Sequence, residues 1–156
     1  RQMSRVTRLL RKLAKLSPRE WVELLQAQLA LLAAQVLVWT RPTGRLVSSS
    51  APGAAVGGPA PAAAAMERVQ RLGLAVSRAG DYGVFRPLCL VRAVALHRLL
   101  EGHGIRGSRI RIGVRMRDGR FGAHAWVEYD GRVVGDSTAH VASFAELADG
   151  ELVDAK

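Results

Sequence analysis

The chain has 156 residues, enough for one domain with a small core, and 49% of them are hydrophobic. Its single cysteine, Cys89, excludes an internal disulfide and a cysteine-rich zinc site, and fits a reducing, cytoplasmic setting. The net charge of +10 attracts acidic partners at long range, but aromatics make up only 5% and no nucleic-acid motif is visible, so nucleic acid is not the expected partner.

Residues 4–16 read as a basic amphipathic helix. Val6, Leu9, Leu10, Leu13 and Leu16 fall at helical spacing, and Arg5, Arg8, Arg11, Lys12 and Lys15 cover the rest. A solvated face is the plain reading, with contact to a membrane surface or an acidic partner left open. A second helix starts at Ser17, where Pro18 and Glu20 complete a capping box, and Pro42 and Gly44 stop it after Trp39 or Thr40. From Leu29 to Trp39 it is apolar almost all round. The length approaches a membrane span, but Glu23, Gln26, Gln28 and Gln35 interrupt it, so burial in the core or in a partner groove is preferred. The basic start runs into Ser17-Pro18-Arg19-Glu20 and not straight into an apolar stretch, which is not the pattern of a secretory signal.

Residues 48–65 are Ser, Ala, Pro and Gly with one Val, a composition that reads as a flexible linker. A helix follows over about 66–78, with Met66, Val69, Leu72 and Val76 on one face, then a turn at Gly80-Asp81-Tyr82-Gly83. The next helix runs from about Pro87 to Glu101 on Leu90, Val91, Val94, Ala95 and Leu99. Beyond it the period changes. Ile110, Ile112, Val114 and Met116 alternate with Arg109, Arg111, Gly113 and Arg115, which is a strand. Asp118-Gly119 is a hairpin turn, 121–128 and 132–136 are further strands, and Ser143 with Glu146 has the spacing of a capping box for a short last helix.

A lone cysteine is commonly just a small buried apolar residue. Cys89, however, lies two residues after Pro87 in the first turn of a helix. Unpaired N–H groups and the positive end of the helix dipole gather there, an environment that favours a thiolate and can hold an oxyanion. Four histidines could serve it as base. His97 is eight positions along the same helix, roughly 12 Å away by the helical rise. His103 follows the helix among glycines and reads as a surface residue, and His140 sits in a loop that geometry does not exclude. His124 lies in mid-strand between Ala123 and Ala125, whose small side chains let another element come close. For the third group, a three-residue loop Tyr129-Asp130-Gly131 would set His124 directly opposite Asp136, close enough for the carboxylate to orient the imidazole. A two-residue loop would break that register. Asp130 is the rival acid, in a position where turn chemistry alone explains an aspartate.

Leu88-Cys89-Leu90-Val91-Arg92-Ala93 opening a helix, Gly122-Ala123-His124-Ala125-Trp126-Val127-Glu128 on a strand and then Gly135-Asp136 resemble the leader peptidases of lasso-peptide biosynthesis. The resemblance is strong over about 85–137 and one of pattern only in the N-terminal helices. It implies an α+β fold: a transglutaminase-like, papain-related cysteine protease core with N-terminal helices and a small antiparallel sheet. One domain would then comprise helices over 1–47, a linker over 48–65 and a catalytic core over 66–156. It also implies a Cys89–His124–Asp136 triad, no metal and no cofactor, and a precursor peptide as substrate. Nothing before residue 85 but helices leaves room for a leader-recognition domain, so the chain resembles the split form, with a separate leader-recognition protein as partner and the lasso cyclase as a possible further one. Trp126 shares a face with His124 by strand alternation. It reads as core packing first and as a shield over bound substrate second. Two other readings stand beside this one: a transamidating member of the same superfamily, whose residues would be identical, and a non-catalytic basic module that binds peptide or nucleic acid.

Overall fold

The computed structural model describes residues 16–42, 63–83 and 87–147. Residues 4–15 of the expected first helix, and 48–62 of the expected linker, lie outside them. Helix α1 spans Pro18–Thr40 and begins as its sequence demands. The Ser17 hydroxyl accepts from the Glu20 N–H at 3.3 Å, and the Glu20 carboxylate accepts from the Ser17 N–H at 2.8 Å. Those bonds hold the Glu20 carboxyl below its ordinary range. By length and composition α1 is apolar enough to cross a membrane, yet along one face Ala27, Leu31 and Ala34 are fully buried in the protein core.

Helix α2 spans Ala63–Tyr82 and is longer at both ends than its apolar spacing suggests. Ala63 to Ala65, read as linker, have the highest helix propensity and extend it backwards. Gly80 and Asp81, read as a turn, continue it forwards, because Arg92 from the next helix lies against them. A side chain at Gly80 would meet the Arg92 guanidinium at 2.8 Å, and that guanidinium donates to Asp81 at 2.9 Å. Helix α3, Cys89–Gly102, lies between two layers, with α1 and α2 on one side and the sheet on the other. Val91, Ala93, Val94, Ala95, Leu96, His97 and Leu100 are all buried, which is why its apolar residues go most of the way round.

The sheet is antiparallel, in the order β3-β2-β1-β4, with β1 Arg109–Arg117, β2 Arg120–Tyr129, β3 Arg132–Val134 and β4 Ala145–Glu146. Ile110, Ala125, Val127 and Val134 turn one face towards α3 and join the core. The β1–β2 turn is Asp118-Gly119, as expected, with both residues at positive φ. The β2–β3 turn differs from the expectation. Asp130 (φ 51) and Gly131 (φ 71) form a two-residue loop of the same kind, and Tyr129 pairs with Arg132, so His124 and Asp136 are not opposite one another in the ladder. The last segment differs too. Ser137 caps a single helical turn, α4, at Thr138–Val141. Ser143 donates to the His140 carbonyl at 2.7 Å and caps nothing. Ala145 and Glu146 pair with Val114 and Gly113 at the edge of β1, where Arg111 holds Glu146 at 2.8 Å, so the expected last helix is a strand.

Inside α3, His97 is buried and its Nδ1 is 2.8 Å from the Ser108 hydroxyl. Burial holds this imidazole below its ordinary 6.5, and outweighs the upward pull of Glu101. The unfolded chain therefore takes up a proton at a higher pH than the folded one. The contribution of His97 to stability is present above about pH 6.5 and is lost as the pH falls below it. The fall in Tm between pH 7 and pH 5 should be steeper for the native chain than for His97→Gln. Equal slopes would remove His97 as the cause.

Candidate active site

Strand β3 ends at Val134, opposite Val127, and beyond that pair no described strand covers the edge of β2 that faces away from β1. A cleft of about 660 Å³ opens at this edge. Its walls come from four directions, the first being α2 with Gln70, Leu74, Ser77 and Asp81. The start of α3 contributes Cys89 and Arg92, β2 contributes His124 and Trp126, and the chain leaving β3 contributes Gly135, Asp136 and His140. All four residues singled out by sequence, Cys89, His124, Trp126 and Asp136, therefore line one cavity.

Cys89 is the first residue of α3 and is half-buried. The residue before it, Leu88, offers no side-chain cap, and the first internal bond of the helix runs from the Arg92 N–H to the Leu88 carbonyl. The N–H groups of Cys89, Leu90 and Val91 are thus the unpaired donors of a helix start. They are the groups at this helix start that could hold a developing oxyanion.

His124 and Asp136 meet in spite of the broken register. Gly135 takes a left-handed turn (φ 74) and lifts Asp136 out of the ladder. One carboxylate oxygen then accepts from His124 Nε2 at 2.5 Å, and the other accepts from the Ser137 N–H at 2.7 Å. A carboxylate only accepts, so Nε2 carries the proton and Nδ1 is the basic nitrogen of the neutral ring. The two side chains are 16% and 26% exposed, sheltered but open to a bound molecule.

Three rings surround the imidazole. Trp126 lies parallel to it at 6.3 Å, Phe144 stacks at 5.2 Å and His140 stands edge-on at 4.7 Å. Trp126 is itself buried, and its indole N–H donates to Glu128 at 3.1 Å, so its rotation is fixed by the sheet. Phe144 carries the Arg115 guanidinium 4.4 Å above its ring. Sequence reasoning left His140 open and passed over Phe144. The signal that pointed to Phe144 was Gly113, a glycine inside a strand, which marks close approach of another group. It pairs with His124, and a side chain there would meet Phe144 and Trp126, each at 2.9 Å. Two other histidines stand apart. His97 is buried under the sheet, and His103, expected at the surface, is half-buried at the end of α3 with Nε2 3.1 Å from Gln26. Among the described residues no group of three or more His, Cys, Asp or Glu is placed to hold a metal ion.

The Transglutaminase-like superfamily domain matches residues 28–149, well over half of the sequence. The chain belongs to the transglutaminase-like superfamily. The match takes in all of the cleft and most of α1, so the α+β arrangement of helices and a small antiparallel sheet is that of a transglutaminase-like domain. No curated protein and no solved structure matches the chain. Cysteine peptidases and transamidating enzymes both occur in the transglutaminase-like superfamily, and both use a thiol with an imidazole.

Because Cys89 is the sole thiol, alkylation reports on it alone. If Nδ1 of His124 works with it, iodoacetamide should modify the native chain at pH 6.5 about tenfold faster than it modifies His124→Ala. Equal rates would separate the two residues. The Gly135→Ala substitution places a side chain in the left-handed region and 2.9 Å from Leu96, and should cost at least about 1–3 kcal/mol in denaturant unfolding.

Proposed function

We propose that the chain is a cysteine peptidase that removes the leader from a ribosomally made lasso precursor peptide. The observation that carries the chemistry is one cleft lined by a cysteine at a bare helix N-terminus and by a hydrogen-bonded His124–Asp136 pair. Its superfamily membership supports thiol-based acyl transfer. The choice of substrate rests on the resemblance of residues 88–93, 122–128 and 135–136 to the lasso leader peptidases.

In this reading Nδ1 of His124 takes the proton of Cys89. The thiolate attacks the carbonyl at the leader–core junction, and N–H groups of the first turn of α3 stabilise the oxyanion. The C–N bond then breaks. His124 returns its proton to the departing core amine, and the leader remains as a thioester on Cys89. Water, deprotonated by His124, attacks the thioester and frees the leader carboxylate and the thiol. Asp136 holds the imidazole in the tautomer that both steps need. Trp126 and Phe144 exclude water from one side of the ring and set the floor on which the peptide lies. A separate leader-recognition protein delivers the precursor, and a cyclase closes the freed amine onto a side-chain carboxylate.

Mass spectrometry of the cognate precursor, with and without the recognition protein, tests the reading. Cleavage at one bond, abolished in Cys89→Ala and slowed about 10²–10⁴-fold in Asp136→Asn, is the expected result. A leader fragment that carries an added amine in place of a free carboxylate would make the chain a transamidase. Leader binding without cleavage under any combination would make it a non-catalytic module.

A further inference from the structure

Helix α1 has a second face, opposite the one in the core. Val22, Leu25, Leu29, Leu32, Val36 and Trp39 are all exposed, from 44% at Leu32 to 78% at Trp39. Their spacing alternates three and four residues without a break. That is the narrow seam of a coiled coil, not the broad apolar face of a helix that lies in a lipid interface. Val22, Leu29 and Val36 fall at one seam position, and Leu25, Leu32 and Trp39 at the other. Valine at two of the three first positions and leucine at two of the three second ones favour two parallel strands.

The residues beside the seam say which strand fits. Gln26, Ala33 and Thr40 flank it on one side, and Trp21, Gln28 and Gln35 on the other, and none is charged. From Leu24 to Thr40 the chain has no ionisable side chain, although its net charge is +10. Two copies would repel each other across most surfaces, but across this one they meet without like charges. The exposed apolar area of the seam with Trp21 is on the order of 800 Å², one partner's share of a standard interface. We infer that the seam of α1 binds the same seam of a second copy of this chain, parallel and in register, to form a two-fold symmetric dimer. Leu29 of one copy then faces Leu29 of the other, and no residue of the seam lines the cleft. This holds whatever reaction the cleft performs.

Sedimentation equilibrium of the full chain at micromolar concentration should give twice the 16.8 kDa of one copy. Leu29→Glu should give the single-copy mass with an unchanged far-ultraviolet circular dichroism spectrum. An equimolar mixture of Leu29→Glu and Leu29→Lys should recover the doubled mass, since only opposed 29 positions pair the charges. A variant without added charge covers the case in which Leu29→Glu fails to fold. In a Cys89→Ala background, Leu32→Cys should oxidise to a disulfide-linked dimer faster than Arg98→Cys. A native chain that stays at 16.8 kDa overturns the dimer, as does Leu29→Glu at the doubled mass or a charge mixture that remains monomeric. A monomer that pellets with phosphatidylglycerol vesicles would also overturn it and give the seam to a membrane.

Discussion

Gly135 holds a left-handed backbone, and its α-carbon is pressed between Leu96 of α3 and Gly73 of α2. A side chain on Gly73 would in turn meet Val134 at 2.7 Å and the Gly135 backbone at 3.0 Å. Here the helical layers and the end of β3 lock together, and the geometry of the cleft depends on it. If β3 continued past Val134, its ladder would cover the edge of β2 and close the space that Cys89 and His124 share. Because it stops, Asp136 leaves the sheet and presents both carboxylate oxygens, one to His124 and one to the Ser137 N–H. The contact is made by a turn, not by strand pairing.

The central helix links stability to chemistry. α3 is buried almost all round because two helices cover one side and the sheet covers the other. Such a helix is rigid, so its first residue is held in place relative to β2. Its start is bare of any side-chain cap, which is ordinarily a loss of about 1 kcal/mol. The unpaired N–H groups at that start are the ones a reacting carbonyl oxygen would need. The same helix buries His97 against Ser108, away from the cleft, which separates a pH-sensitive structural histidine from the one at the site.

The other side of the imidazole is closed by the sheet's outer face and the segment after α4. Gly113 makes this possible by leaving space beside His124 for Phe144 and Trp126. Arg115 over Phe144, and Arg111 between Glu128 and Glu146, fix that segment against β1. The net positive charge of the chain thus has a partly structural use. Arg111 binds β4 through Glu146, and Arg115 holds Ser143 and Phe144 just before it.

Local rules were enough for much of this. The capping box of α1, the Asp118-Gly119 turn, the extent of β1 and the position of Cys89 at a helix start all follow from residues a few positions apart, and all are found where the residues indicate. His124 was also within reach, as a histidine between two alanines on a strand. What sequence alone misjudged depends on distant neighbours. The Asp130-Gly131 turn can belong to a two- or a three-residue loop, and the pairing of Tyr129 with Arg132 decides it. Gly80 looks like a turn until Arg92 packs on it, and Glu146 looks like part of a cap until Arg111 binds it at the edge of β1. The amino acids determined which groups are available: one thiol, its helix start, an imidazole and a nearby carboxylate. Only tertiary packing decided that β3 stops at Val134 and that the carboxylate meets the imidazole. That choice rests on Leu96 and Gly73 pressing on Gly135, residues far apart in the chain whose approach no local pattern encodes.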